Sequence, residues 1–316
     1  MSTPEFVDQR RTERRNPRTT HIDVASSAEI VDLMNAEDRF AVECVAECRD
    51  HIAKAIDVAV EAFRQDGRLI YVGAGTSGRL GVLDATECPP TFGSDPAQVV
   101  GIIAGGAAAL TRSQEGAEDS VADGAAAILD HRVTPRDFVI GIAASGTTPF
   151  VAAAVHKAQE IGASTGLLTC SEPPPALAAQ CDVVLSIYVG PEVLTGSTRL
   201  KAGTATKLVL NMITTGAMIR LGKAYGNLMV DLQAMSEKLV DRGERIVMET
   251  TGVSRDAARE TISRARGSVK VAIVMARDHL GYEEAVRKLS EADGFVRSVV
   301  GDPPPVFKNV SRESTQ

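Results

Sequence analysis

The 316-residue sequence contains no tryptophan, and aromatic residues make up only 4% of it. Proteins that bind single-stranded nucleic acid commonly stack bases on aromatic side chains. The low aromatic content disfavours such a base-stacking surface, and it also disfavours a sugar-binding site lined by aromatic rings. Long apolar runs are missing as well. A membrane-spanning helix needs about 18 consecutive apolar residues, whereas the apolar stretch at 208–221 is interrupted by Asn211, Thr214, Thr215 and Arg220.

Cysteine is scarce and shows no pairing pattern. The five cysteines are an odd number, lie mostly in apolar segments and form no C-x-x-C pair, which favours reduced thiols in a cytoplasm. The histidines have no metal-ligand spacing, and residues 1–18 lack the apolar core of a signal peptide. A net charge of −7 disfavours general binding to nucleic acid or to an anionic membrane. The sequence therefore indicates a cytoplasmic enzyme or a regulator that binds a small ligand.

Composition and periodicity divide the chain into five parts. We predict a flexible, arginine-rich arm over 1–20, a helical segment over 21–64, an α/β domain over 65–250, a small helical module over 251–301 and a disordered tail over 302–316. Apolar residues at helical spacing predict two helices between 26 and 63, with a break near 35–38. The sequence Gly-Val-Ser at 252–254 predicts a turn and a helix N-cap that open the C-terminal module.

Short runs rich in Val and Ile alternate with helical patterns in the α/β domain. We expect strands at 69–73, 99–104, 138–143, 165–169 and 183–189, helices at 77–87, 112–129, 149–161 and 174–180, and then helices at 200–221 and 227–250. Strands with so little polar alternation are buried on both faces, which is typical of a parallel sheet covered by helices. The predicted fold class is therefore α/β, with a five-stranded parallel doubly wound sheet of flavodoxin-like order 2-1-3-4-5.

Two hydroxyl-rich loops follow the first and third predicted strands: GAGTSG at 73–78 and ASGTTP at 144–149. In this strand order they meet at the topological switch point, where open α/β sheets bind ligands. Each loop opens a helix, so backbone N–H groups, a positive helix end and hydroxyls are offered to one small phosphorylated ligand. The candidate phosphate-binding residues are Gly75, Thr76, Ser77, Gly78, Ser145, Gly146, Thr147 and Thr148.

The first loop also satisfies the dinucleotide pattern G-x-G-x-x-G, but a dinucleotide site needs an acidic residue at the end of the second strand. That strand ends in IAGG at 103–106, so a phosphate monoester fits better than a pyrophosphate. The alternative without a ligand is that both loops are only tight strand-to-helix connections.

Carboxylates supply the candidate acid–base groups. Glu87 precedes Cys-Pro-Pro, and the prolines are expected to end the helix that starts at the first loop. Glu87 then lies about 15 Å along that helix, either at the far end of an extended sugar phosphate or on an ordinary helix terminus. Glu118 and Asp119 follow the second strand and are either site groups or surface residues. Ser197 and Lys201 belong to a helix-start segment that either binds a further anion or is an ordinary capped helix.

Longer motifs make the chain resemble a known family. They are RLIYVGAGTSGRLGVLDATECPPTFG at 68–93, EGAED at 115–119, GIAASG at 141–146, TGSTRLKAGT at 195–204 and GNLMVD at 226–231, with TERRNP at 12–17 and MNAED at 34–38. Together they resemble the N-acetylmuramic acid 6-phosphate etherase family over nearly the whole chain.

The resemblance implies a sugar isomerase (SIS) fold, a homodimer with its site near the subunit interface, and a lyase that needs no metal or organic cofactor. The implied reaction cleaves the D-lactyl ether of N-acetylmuramic acid 6-phosphate to N-acetylglucosamine 6-phosphate and D-lactate, a step in recycling cell-wall amino sugars. The family's two catalytic glutamates match Glu87 and Glu118. By resemblance, Glu87 is the acid that protonates the departing lactate, and Glu118 is the base that removes the C2 proton.

Two other functions on the same fold stay open. One is a non-catalytic sugar-phosphate sensor, because the animal glucokinase regulatory protein resembles this family, although it carries two SIS domains in one chain. The other is a sugar-phosphate aldose–ketose isomerase. The motifs identify no group that binds the lactyl carboxylate.

Overall fold

The computed structural model describes residues 8, 10–232 and 237–305. The chain forms two compact units. The first contains the residues up to Cys88 together with Asp95–Ala217, and the second contains Pro89–Ser94 together with the residues from Met218 onward. The boundary near 217 lies inside a helix, whereas the sequence predicts a domain boundary between 250 and 251. Within the described ranges, no helix is long and apolar enough to cross a membrane.

The first unit is built on a five-stranded parallel sheet in the order β2-β1-β3-β4-β5. Its strands are β1 (Leu69–Gly73), β2 (Val99–Ile103), β3 (Phe138–Ile142), β4 (Ser164–Thr169) and β5 (Val183–Ser186). The predicted α/β class, the parallel sheet and the strand order are confirmed. The last strand ends earlier than predicted.

The register of the sheet places the two hydroxyl-rich loops side by side. Gly73, at the end of β1, lies opposite Ile103 of β2 and Ile142 of β3. All residues of β1 and β3 are buried. Burying a Leu, Ile or Val side chain contributes about 1.5–3 kcal/mol, so packing on both faces fixes the ends from which the loops start.

Two helices precede the sheet, α1 (Ser27–Glu47) and α2 (Arg49–Arg64). The predicted break near 35–38 is wrong, because α1 continues through it and the helices separate at Cys48. Ser26 and Glu29 form a capping box at the start of α1. The weak helix propensity of Asn35 and Asp38 is overridden by the helix formers between them and by tertiary contacts, including a buried ion pair of Glu37.

The remaining helices of the sheet region are α3 (Gly75–Phe92), α4 (Val121–Asp130), α5 (Pro149–Ile161), α6 (Pro175–Ala178) and α7 (Lys201–Arg220). The bounds of α5 match the prediction, since Pro149 occupies the first turn and Gly162 ends the helix in the left-handed conformation. The predicted stop of α3 at Glu87 is wrong, because the helix continues through Pro89 and Pro90. Proline's φ fits a helix, and near the C-terminus it removes only the last hydrogen bonds.

The predicted helix over 112–129 is wrong in its first half. Gly116 adopts a left-handed φ of 76° and is followed by a single 3-10 turn at Ala117–Asp119. Ser120 then caps α4, its side chain accepting the N–H of Asp123. A glycine favours such a conformation, and here it turns the chain toward the sheet end before the helix begins.

The second unit contains a short hairpin and a group of helices. Its elements are β6 (Ala224–Tyr225), β7 (Leu228–Met229), α8 (Glu237–Thr251), α9 (Arg255–Arg264), α10 (Val269–Asp278), α11 (Tyr282–Glu291) and α12 (Val296–Val300). The predicted helix over 227–250 is wrong at its start, where Gly226 turns the hairpin with a φ of 60°. The predicted N-cap is confirmed, since the Ser254 side chain accepts the N–H of Ala257. Most of the predicted tail, 306–316, lies outside the described residues.

Candidate active site

A cavity of about 500 Å³ opens where β1 and β3 end, at the switch point of the sheet. It is lined by the first turn of α3, the loop between β3 and α5, the turn before α4, and two segments distant in sequence, at 10–13 and 196–198. We call this cavity the pocket.

The first hydroxyl-rich loop contributes Gly75, Thr76 and Ser77 to the pocket lining. Gly78 does not line it. A Cβ at Gly78 would lie 2.7 Å from the Gly73 carbonyl oxygen and 2.6 Å from a side-chain carbon of Ile103, so a glycine is required for α3 to pack this closely on β1 and β2. Gly78 therefore shapes the loop, and Gly75 to Ser77 present the first turn of a helix to the pocket.

The second loop contributes Ser145, Thr147 and Thr148. The hydroxyls of Ser145 and Thr147 lie 3.2 Å apart and share a hydrogen bond, so one hydroxyl of the pair is left to donate to a ligand. Gly146 is buried, with a φ of 77°. It forms the turn of the loop and does not line the pocket. Thr148 occupies the N-cap of α5, but its side chain makes no capping hydrogen bond. The first turn of α5 is therefore open to an anion.

Of the two glutamates matched to the family's catalytic pair, the structure places only Glu118 in the pocket. Glu118 and Asp119 line it from the 3-10 turn before α4. Glu87 is exposed on α3 and does not belong to the lining. It lies twelve residues beyond Gly75, or about 18 Å along the helix axis. Within one chain, the structure therefore brings Glu118 but not Glu87 to the phosphate loops.

Two lining residues, Arg10 and Glu13, have no counterpart among the sequence candidates, while Gly196 and Thr198 lie in the predicted helix-start segment for which only Ser197 and Lys201 were named. The first two belong to the N-terminal segment 10–24, part of which is predicted as a flexible arm. In the structure Thr12, Asn16 and Thr19 of that segment are buried. The sequence signal for a structural role of this segment is the motif TERRNP at 12–17, which lies outside the strands and helices of the sheet region.

The N-terminal segment is fastened to the loops after β4 and β5. The amide of Asn16 donates to the carbonyl of Pro191 at 3.1 Å, and the hydroxyl of Thr19 donates to that of Val193 at 2.9 Å. Arg11 donates to Glu172 at 2.7 Å. Intramolecular hydrogen bonds contribute about 0.5–1.5 kcal/mol each, so together they hold the segment as a wall of the pocket.

Lys201 has a different role from the predicted one. Its side chain is 1% exposed and its ammonium donates to Glu37, which also accepts a hydrogen bond from Arg18 at 2.8 Å. Burial alone would raise the pKa of Glu37, but Arg18 and Lys201 outweigh it and lower the pKa to about 2. The charge of Lys201 therefore joins α7 to α1. Ser197 lies between two lining residues and is not itself part of the lining, and its anion contact stays a prediction.

A second buried carboxylate lies on α3, one turn before Glu87. Asp84 accepts a hydrogen bond from the Thr214 hydroxyl at 3.2 Å and, in the amide orientation that satisfies both neighbours, from Asn211 at 3.1 Å. Neither the other oxygen of Asp84 nor the hydroxyl of fully buried Tyr71 has a hydrogen-bond partner among the described residues. Burial raises the pKa of Asp84 to about 6, against the opposing effect of its hydrogen bonds.

Comparison with known proteins shows to which family the chain belongs. Residues 51–159 match the family model of the glucokinase regulatory protein N-terminal SIS domain. Across 92% of the chain, the sequence is 54% identical to the N-acetylmuramic acid 6-phosphate etherase of Salinibacter ruber, covering 93% of that protein, and 52% identical to that of Geobacillus thermodenitrificans, covering 98%. The chain belongs to the N-acetylmuramic acid 6-phosphate etherase family.

The structural likenesses are more distant than those to the etherase family. The sugar isomerase domain of the RpiR transcription factor from Sphaerobacter thermophilus is 19% identical, with a TM-score of 0.42 over 61% of this chain and 91% of that one. The phosphoheptose isomerase of Neisseria gonorrhoeae is 16% identical, with a TM-score of 0.44 over 60% and 97%. The resemblance to the etherase family is thus confirmed by sequence, and the catalytic roles of Glu87 and Glu118 stay predictions.

Proposed function

We propose that this protein is a carbon–oxygen lyase that cleaves the D-lactyl ether of N-acetylmuramic acid 6-phosphate and releases N-acetylglucosamine 6-phosphate and D-lactate. The observation that carries the proposal is the 54% identity to a curated etherase over 92% of the chain. The pocket supports it, because two helix N-termini and several hydroxyls converge on a site suited to a phosphate, and a carboxylate, Glu118, lies in the same cavity.

The chemistry requires a proton to leave C2 before the ether can break. In the open-chain sugar, the C1 aldehyde acidifies the C2–H bond, so a base that takes this proton creates an enolate. The enolate expels the C3 oxygen, which takes a proton and departs as D-lactate, and a C2–C3 double bond remains. Water then adds its oxygen to C3 and a proton to C2, which restores the enzyme groups.

Two carboxyl groups in opposite protonation states serve this sequence: an ionised base at C2 and a protonated acid at the lactate oxygen. Glu118 is our base, since it lies beside the loops that would hold the phosphate. Glu87 is our acid, on the match to the family's motif. The sugar phosphate would thus be held at one end by hydroxyls and backbone N–H groups and deprotonated within the same pocket.

Exchange of the C2 proton with solvent separates the two roles. We expect Glu118→Gln to abolish both D-lactate release and deuterium incorporation at C2 in heavy water. Glu87→Gln should lose lactate release but keep C2 exchange, because only the departure of lactate needs the acid. Exchange at the wild-type rate in Glu118→Gln would show that Glu118 is not the base.

Release of D-lactate also distinguishes the proposal from its alternatives. A sugar-phosphate sensor would bind N-acetylmuramic acid 6-phosphate and release nothing at any enzyme concentration, and the family-model match over 51–159 makes this the main alternative. An aldose–ketose isomerase would convert a sugar phosphate to its isomer without lactate. Colorimetric D-lactate assay of the purified protein tests all three.

A homodimer with its site near the subunit interface is part of the proposal, and the position of Glu87 supports it. Since Glu87 lies outside the pocket of its own chain, a second copy would have to bring its α3 to that pocket. Co-expressed Glu87→Gln and Glu118→Gln chains should then regain about a quarter of the wild-type activity, because half of randomly paired twofold dimers contain one intact site. No recovery would place both glutamates in one chain's site.

The setting of the reaction stays a prediction. It comprises a cytoplasmic location, a role in recycling cell-wall amino sugars, and catalysis without a metal or organic cofactor. Prolonged chelation followed by the D-lactate assay tests the last of these, with undiminished activity expected.

A further inference from the structure

The charges that line the pocket do not match the charges of the proposed substrate. Among the described residues, Arg10 is the one basic residue of the lining, against Glu13, Glu118 and Asp119. The substrate carries two anions, a phosphate monoester and the carboxylate of its lactyl group. An anion that leaves water without a cation or several hydrogen bonds costs several kcal/mol.

We infer that Arg10 binds the lactyl carboxylate and is thereby a residue that distinguishes the etherase substrate from sugar phosphates without a lactyl group. The inference rests on the proposed function and extends it to a group that no motif identifies.

The phosphate has sufficient donors without Arg10. The open first turns of α3 and α5 supply backbone N–H groups, and Ser77, Ser145 and Thr147 supply hydroxyls. Backbone donors and helix N-termini of this kind bind phosphate in many α/β proteins. The carboxylate has no comparable set, since beside the N-terminal segment the lining offers the carboxylate of Glu13 and, as a donor, the single hydroxyl of Thr198. The basic side chain is therefore left for the second anion.

Arginine suits a carboxylate because its planar guanidinium offers two parallel N–H donors. In the structure Arg10 donates from Nε and from one terminal nitrogen to Asp8, at 3.1 and 2.7 Å. These bonds use two of the five N–H donors and hold the plane of the guanidinium. Three donors remain for a ligand, enough for a second carboxylate.

The backbone at Arg10 is held by the residues that follow it. Arg11 donates to Glu172 and lies over the ring of Tyr188, 4.5 Å from its centre. The N–H of Thr12 donates to the Ser171 hydroxyl at 3.4 Å. The carbonyl oxygen of Glu172 lies 3.4 Å from the position of a Cβ on Gly146. The N-terminal segment is thus packed beside the second phosphate loop, within reach of a ligand bound there.

Glu13 lies on the side of the segment that faces Gly196. Its Oε2 lies 3.2 Å from the position of a Cβ on Gly196, so its carboxylate rests against the chain that lines the pocket before α7. A carboxylate of the substrate placed here would face Glu13 and needs a cation beside it, since like charges at contact distance disfavour each other's ionised form. Arg10 is the basic lining residue that can supply it, through the N–H donors that its pair with Asp8 leaves free.

The test compares a ligand that has the lactyl group with one that lacks it. We expect Arg10→Gln to raise the KM for N-acetylmuramic acid 6-phosphate about 10- to 100-fold, as expected for loss of a charge-assisted pair. Its Kd for N-acetylglucosamine 6-phosphate, measured by calorimetric titration, should change less than about twofold. Arg10→Lys should recover part of the loss, because it restores the charge but not the paired geometry.

Arg15→Gln is the matched control, since Arg15 is an exposed arginine of the same segment outside the pocket lining. It should leave both constants unchanged. Equal losses for the two ligands in Arg10→Gln would show that Arg10 binds the phosphate, and an unchanged KM would show that it binds neither anion. Either result overturns the inference while wild-type lactate release still upholds the proposed function. Wild-type protein that releases no D-lactate would instead refute the proposed function itself.

Discussion

Glu37 and Asp84 are buried carboxylates of the same unit, yet their surroundings drive them to opposite states. Glu37 has two cationic partners, and its pKa is lowered to about 2 despite burial. Asp84 has a hydroxyl and an amide, and burial raises its pKa to about 6. These neutral donors and the charge of Lys207, which is not bonded directly to Asp84, offset desolvation only in part, whereas two cations in direct contact reverse it. Glu37 is therefore ionised near neutral pH, and its ion pairs brace the elements around it. Asp84, with a pKa of about 6, changes its protonation state close to neutral pH.

The two carboxylates also support different parts of the candidate site. Glu37 joins α1, α7 and the N-terminal segment through Lys201 and Arg18, and that segment forms a wall of the pocket. Asp84 joins α3 to α7 through Thr214, one turn from the predicted acid Glu87. Perturbing Glu37 should therefore be costly above about pH 4.5 and less costly in acid, whereas the effect of perturbing Asp84 should change between about pH 4 and 6.

The largest effect is expected for Glu37→Gln. Without the carboxylate, the ammonium of Lys201, which is 1% exposed, stays buried with no compensating charge. Breaking one partner of such a pair costs on the order of 3–5 kcal/mol. Urea unfolding at pH 7 measures the loss, and Glu43→Gln on the exposed face of α1 should stay within about 0.5 kcal/mol of wild type.

Acid should remove this difference between Glu37→Gln and wild type. Because the folded pKa of Glu37 is lowered from 4.5 to about 2, its stabilisation is fully present above the unfolded value and is lost as the pH falls from about 4.5 toward 2. The two unfolding curves should therefore converge over that range. A gap that stays constant down to pH 3 would mean that the ionised carboxylate is not the brace.

A smaller effect of opposite sign is expected for Asp84→Asn. The folded pKa of Asp84 is raised from 3.8 to about 6, so between these values the folded state holds a proton that the unfolded state has lost. Stability then falls as the pH rises from about 4 to 6. The asparagine should abolish this decline and make the protein more stable at pH 8 by on the order of 1–2 kcal/mol. A decline that persists in the variant would assign it to another group.

The smallest effect is expected for Thr214→Val. The Thr214 hydroxyl donates to Asp84 at 3.2 Å, and a hydrogen bond to an ionised group is stronger than one to a neutral group. The loss should be about 1 kcal/mol at pH 8 and less at pH 5, where Asp84 is protonated. Unfolding curves of the variant and the wild type at the two pH values measure the loss of stability. Equal losses at both pH values would show that the hydroxyl donates to a backbone carbonyl of α7 instead.

Local signals made much of this fold predictable. Four of the five strands are apolar runs that contain Val or Ile, and β4 is a short Leu- and Thr-containing run. Pro149 begins α5 and Gly162 caps its end, and each residue acts on the backbone within one turn. The switch-point loops follow from strand order alone. By contrast, α3 continues past Pro89 and Pro90, and α1 runs through the predicted break near Asn35 because tertiary contacts outweigh local propensity.

The parts of the site that could not be predicted depend on contacts between distant residues. Glu118 was identified from a motif, but the contribution of Arg10 and Glu13 to the pocket arises only when the N-terminal segment meets the loops after β4 and β5. Lys201 looked available to an anion because its partner Glu37 lies 164 residues away. No periodicity in the sequence reports pairs of this kind.

The fastening of the N-terminal segment sets an order of events during synthesis. Thr12, Asn16 and Thr19 bond to residues made 159–175 positions later. At about 5–20 residues per second, the segment waits about 8–35 s for those partners to be synthesised. The first wall of the pocket to be synthesised is therefore among the last to take its place.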